Sequence, residues 1–117
     1  MSSARIARGR RTQRHAADWF RARGWPHCWP KGAFEGGRDL EGMPGLAPEV
    51  KATSDGAITT ALRQAAANAG GDLPLVIWRP DGYGPERVAE WVVAMRLDVA
   101  TDLLRAAGYG DTTEAAS

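Results

Sequence analysis

A chain of 117 residues has room for one domain, burying roughly 65% of the surface its unfolded form would expose. Its 44% apolar and 25% charged content is that of an ordinary soluble globular protein, and a lone cysteine, Cys28, excludes an intrachain disulfide framework or a thiolate cluster for structural zinc. The formal charge of +1 hides an asymmetry: residues 1–31 carry eight Arg or Lys against Asp18 alone, and the remainder carries seven basic and thirteen acidic residues, so the basic end suits a polyanion.

Residues 1–11 are polar and basic without apolar periodicity, which predicts a flexible basic arm carrying Arg5, Arg8, Arg10 and Arg11. Thr12 can cap a helix that runs through Ala16, Ala17, Trp19 and Phe20 to Gly24, with Pro26 just beyond. Ala16, Phe20 and Trp19 would face the core, and Arg14, Asp18 and Arg21 the solvent. From Trp25 to Gly45 the chain is rich in Gly, Pro and aromatics, as short strands and tight turns require. Leu46–Ala52 follows as a strand, where Pro48 calls for a bulge or an edge.

Thr59 or Thr60 can open a second helix with Leu62, Ala65, Ala66 and Ala69 at helical spacing, ended by Gly70-Gly71. Residues 74–78 read as a buried strand, 80–85 as a turn-rich loop and 88–95 as a further strand. Asp98 caps a last helix over 99–107 with Val99, Leu103, Leu104 and Ala107 on its apolar face. Asp55-Gly56 and Asp81-Gly82 mark turns, and residues 111–117 a frayed tail. The order predicts an α/β fold: a single small domain over 12–110 with a mixed β-sheet flanked by helices.

No apolar run can span a bilayer, and the Arg-rich start lacks the apolar block of a secretory signal, so an intracellular protein without membrane contact is expected. The densest chemistry lies in GGRDLEGMPGLAPEVKA. Alternation along a strand puts Glu49 and Lys51 on one face, with Val50 behind them. Phosphodiester cleavage needs a placed water and neutralised phosphate charge, and a magnesium ion on one or two carboxylates supplies both. Asp39 and Glu49 suit such an ion, the Val50 carbonyl is a further ligand, and Lys51 can orient the water or hold the phosphate. The plainer alternative is that Asp39 caps a turn and Glu49 with Lys51 forms a solvated pair.

Gly37-Arg38-Asp39, Pro44-Gly45-Leu46-Ala47 and Glu49-Val50-Lys51-Ala52, with Gln64 and Ala65 in the next helix, resemble the PD-(D/E)XK nuclease superfamily. Within it the chain is most similar to the small phage and archaeal Holliday junction resolvases, loosely from Thr12 to Gly110. The resemblance implies a restriction-endonuclease-like fold and Mg2+-dependent DNA hydrolysis, Mn2+ substituting, that leaves 5′-phosphate and 3′-hydroxyl ends. It makes Asp39 and Glu49 metal ligands, Lys51 the catalytic lysine and Gln64 a supporting polar residue. It also implies four-way junctions as substrate, a homodimer, and the cytoplasm of a prokaryotic or phage-infected cell; the apolar strand from Val88 and the last helix are candidates for the dimer surface or for core.

The chain departs from that pattern in three places. Arg38 stands before Asp39 instead of proline and adds a phosphate contact. Gln13 takes the place of a first-helix glutamate, which weakens the case for a second metal, and Pro48 replaces a larger apolar residue. Arg5, Arg8, Arg10, Arg11 and Arg14 would bind DNA phosphates through counterion release, giving affinity without sequence readout. Trp78 and Trp91 read as core, whereas Trp25 and Trp29, beside Pro26 and Pro30, leave open a stacking or wedge role. A non-catalytic DNA-binding module on a nuclease fold, or a nuclease acting on duplex or flap DNA, remains the alternative reading.

Overall fold

Helix α1 (Ser3–Arg21) begins at Ser3. The expected flexible arm is therefore corrected: from Ser3 onward its residues are helical, because Ala4, Ala7 and the arginines favour helix and only Gly9 opposes it. Thr12 lies buried inside the helix and donates its hydroxyl to the Arg8 carbonyl at 2.8 Å, so it caps nothing. Ala16 and Ala17 are buried as the periodicity requires, and Phe20 meets Trp25 edge to face with ring centroids 5.3 Å apart. The computed structural model describes residues 3–31, 37–52 and 57–111. The Asp55-Gly56 turn and the tail from residue 112 lie outside the described residues.

Strands β1 (Trp29–Pro30) and β2 (Leu40–Glu41) form an antiparallel ribbon with Trp29 opposite Glu41 and Pro30 opposite Leu40. Cys28 and Leu40 point inward and are fully buried, and Trp29 and Glu41 are exposed on the other side. Just past the ribbon the chain runs so close to His27 that a Cβ on Gly42 would lie 1.8 Å from the His27 carbonyl oxygen. Gly42 also has φ of 79°, where only glycine is free of strain.

Strand β3 (Leu46–Ala52), helix α2 (Ile58–Ala67) and strand β4 (Leu73–Arg79) make a crossover unit, the helix returning the chain so that the strands run parallel. Their register runs unbroken from Leu46 opposite Leu73 to Ala52 opposite Arg79, so the expected bulge at Pro48 is absent. Proline is tolerated because β3 is the edge of a sheet ordered β3-β4-β5. Of the expected stripe Leu62, Ala65, Ala66 and Ala69, Ala65 and Ala69 are buried, whereas Ala61 takes the core position expected of Leu62 and Ala66 is exposed. Alanines on every side leave its phase unmarked in the sequence.

The expected strand over 88–95 is also corrected. Pro85 opens a short 3-10 helix, Pro85–Glu90, and only β5 (Val92–Ala94) pairs with β4, antiparallel. Trp91 is buried between them, its indole N–H donating to the Gly84 carbonyl at 3.3 Å. Helix α3 (Leu97–Ala106) closes the described chain. The result is a small α/β domain: α1 packs on one face of the mixed sheet with Val50, Leu75 and Ile77, and α2 lies against β3 and β4. Strand alternation turns Ala47, Glu49 and Val76 toward the opposite face from Val50 and Ile77.

Candidate functional site

The open edge of β3 organises the site. Asp39 docks on it twice, its amide donating to the Pro48 carbonyl at 3.0 Å and its Oδ2 accepting from the Val50 amide at 2.7 Å. The Lys31 amide donates to the Asp39 carbonyl at 2.8 Å, extending the β1–β2 ribbon by one rung. Asp39 therefore bridges ribbon and sheet through backbone and side chain together. Because a strand residue turns its N–H and C=O to the same side, the Val50 carbonyl shares that edge with the Asp39 carboxylate.

Glu49 is only 3% exposed, and its Oε1 has no hydrogen-bond partner among the described residues. Burial, and then the adjacent Asp39 charge, push its pKa up to about 7, and a hydrogen bond with Asp39 further favours the protonated form. Asp39 is raised too, by burial, against the opposing pull of the Val50 amide and of Lys51. Lys51 lies two positions along β3, half-buried, on the Glu49 side, and its charge draws both carboxyls back down. Two crowded carboxyls beside one ammonium form a site short of positive charge.

Asp39 opens into a cleft of about 510 Å³ at this edge, lined by Arg10 and Gln13 from α1, Gln64 and Asn68 from the other flank, and Lys31 and Arg38. The structure thus brings Asp39, Gln13 and Gln64 to one cleft. Lys31 and Asn68 were missed as site residues, because neither the rung joining Lys31 to Asp39 nor the fold-back that sets the Asn68 amide 3.3 Å from the Gly37 carbonyl has a local sequence signature.

The arginines divide. Arg38 donates to the carbonyls of Leu46 at 2.6 Å and Ala69 at 2.9 Å and pairs with Asp72 at 2.8 Å, so its guanidinium latches the end of α2 to β3. That commitment counts against the expected free phosphate contact. Arg8 pairs with Asp81 at 3.5 Å. Arg10 and Arg14, one helical turn apart, share an outward face of α1 with Ile6 and Arg11, and Arg5 is exposed near its start.

A divalent cation fits the chemistry of this donor set. It would satisfy the orphaned Glu49 oxygen and relieve the repulsion between Glu49 and Asp39. Among the described residues no group of three or more His, Cys, Asp or Glu is arranged to hold an ion. Two carboxylates and a backbone carbonyl would leave most of such an ion's coordination shell to water. No helix among the described residues is long and apolar enough to cross a membrane. No protein-family model, curated protein or solved structure matches this chain significantly.

Proposed function

We propose that the chain is a Mg2+-dependent DNA endonuclease of the PD-(D/E)XK type, with four-way junctions as its preferred substrate. The observation that carries this reading is the buried, partnerless Glu49 oxygen beside Asp39, with Lys51 on the same face. Asp39, Glu49 and the Val50 carbonyl would hold the ion, which when bound supplies charge neutralisation at the phosphate and acidifies a water. Lys51 adds a fixed positive charge that orients the attacking water or the phosphate. Gln13 and Gln64 offer amide donors across the cleft, and Arg10 and Arg14 draw the backbone to its mouth. Val92, Val93, Leu103 and Leu104, all exposed, support the homodimer that two symmetric cuts require.

The test is cleavage of a labelled four-way junction beside a linear duplex and a flap of matching sequence, with Mg2+ or Mn2+. Paired nicks at the junction, lost in Glu49→Ala and Lys51→Ala while junction binding persists, are the expected result. Cleavage retained in both variants refutes the assignment. The neutral Gln13 in the cleft favours a second reading, a DNA-binding module without catalysis. Tight, salt-sensitive binding with no cleavage under any metal would select it.

A further inference from the structure

Trp29 is 59% exposed, unusual for the largest apolar side chain. Its ring is not loose: the Arg21 guanidinium carbon lies 4.0 Å from the ring centroid. Arg21 is itself fixed, donating to the Cys28 carbonyl at 2.7 Å and pairing with Asp18. One ring face is thus covered by a pinned cation, and exposure of this size leaves the other face open.

The ribbon register places this ring beside the proposed catalytic site. Residues opposite one another on an antiparallel pair share a face, as do residues two apart along one strand. Trp29 and Glu41 therefore share the outer face of the ribbon, with Pro30 and Leu40 turned inward, and the hydrogen bond from the Lys31 amide to the Asp39 carbonyl follows one rung further on. Two positions along a strand span about 6.6 Å, close to two base steps at about 3.4 Å each. A second hollow of about 320 Å³ shares Lys31 and Arg38 with the cleft and takes in Leu40, Glu41 and the turn at Gly42, Met43 and Pro44.

We propose that Trp29, backed by Arg21, is a stacking platform for an unpaired nucleobase next to the cleft. A base fits the site better than a phosphate, because Glu41 directly opposite repels anions whereas the indole face offers itself to any base. A flat ring held by Arg21 loses little freedom on binding. Duplex bases are already stacked on one another, so the platform selects single-stranded or branched DNA. This inference rests on the chain binding DNA and not on its cutting it.

The test is therefore binding in EDTA, by fluorescence anisotropy, of a labelled four-way junction, a single strand and a blunt duplex to wild type, Trp29→Ala and Trp29→Phe. Stacking one base predicts that Trp29→Ala weakens junction and single-strand binding roughly 5- to 150-fold with duplex affinity unchanged, and that Trp29→Phe restores most of the loss. Quenching of wild-type tryptophan emission by the single strand, reduced in Trp29→Phe, is the accompanying signal. Wild-type binding with no loss in Trp29→Ala, or an equal loss on all three DNAs, overturns the platform alone. No wild-type binding to any DNA overturns it together with the nuclease reading. A changed oligomeric state in Trp29→Ala at unchanged DNA affinity would assign the ring to a protein interface instead.

Discussion

Glu49 shows how one buried carboxyl ties stability to pH. Its ordinary pKa near 4.5 rises to about 7 in the fold, chiefly through burial and then through Asp39. Below pH 4.5 folded and unfolded chains both hold the proton. Between 4.5 and 7 the unfolded chain releases it while the folded one keeps it, so stability falls as pH rises, by roughly 3 kcal/mol in total. Glu49→Gln mimics the protonated form. In EDTA it should be the more stable protein at pH 8 and the equal of wild type near pH 4, and identical pH slopes in urea titrations of the two would refute the assignment. On the proposed metal-dependent reading, added Mg2+ at pH 8 should raise the wild-type melting temperature and leave Glu49→Gln unmoved, since the substitution removes one of the two carboxylates that would hold the ion. The placing of Glu49 and Lys51 on one strand face was legible because strand parity is a local property. The burial of Glu49, which raises its pKa, was not, because it depends on β4 and the Asp39 segment arriving from elsewhere in the chain.

Among the elements, β3 matches its expected span of Leu46–Ala52 because a run bounded by Gly45 and the polar stretch after Ala52 has clear ends. The strand expected over 88–95 shortened because Pro85 and Gly84 favour a 3-10 turn that apolar alternation conceals. Long-range latches were equally silent. Arg38 joins the end of α2 to the start of β3. Arg38→Ala should cost about 2 kcal/mol in denaturant unfolding, because it strips charged donors from partly buried carbonyls, while the salt dependence of DNA binding stays as in wild type. A reduced salt slope with unchanged stability would restore Arg38 as a phosphate contact. The glycines give a matched pair. Gly42 and Gly45 both have φ near 80°, but a Cβ meets the His27 backbone at Gly42 and nothing within 4 Å at Gly45. Gly45→Ala should cost only the left-handed penalty of about 1–2 kcal/mol, and Gly42→Ala distinctly more, since the ribbon must move away from His27. Equal melting temperatures for the two variants would mean that the close approach at Gly42 is not maintained in solution.

At the scale of the molecule, the Cα radius of gyration is 15.3 Å, against about 13.4 Å for a compact domain of this length, with extents of 56 × 30 × 29 Å. Part of that excess fits α3, none of whose residues is buried. The sequence marks it as amphipathic and so predicts packing, but periodicity says only that a helix has an apolar face and not what covers it. A ten-residue helix is marginal in water without tertiary contacts, so an isolated α3 should not persist. Leu97, Leu103 and Leu104 are exposed on it, and Val92 and Val93 are exposed on β5, the edge strand opposite β3 in the sheet. A second copy related by a two-fold axis offers the same strand edge and the same apolar face, and so can cover both at once. Wild-type protein should therefore sediment at twice the 12.6 kDa chain mass, and helical circular dichroism should fall on dilution as α3 is released. The double variant Leu103→Asp with Leu104→Asp should sediment at 12.6 kDa with the remaining fold intact. Wild-type protein that sediments at the single-chain mass at every concentration, with full helicity, would show that α3 is stabilised within one chain and that the two-fold pairing is wrong.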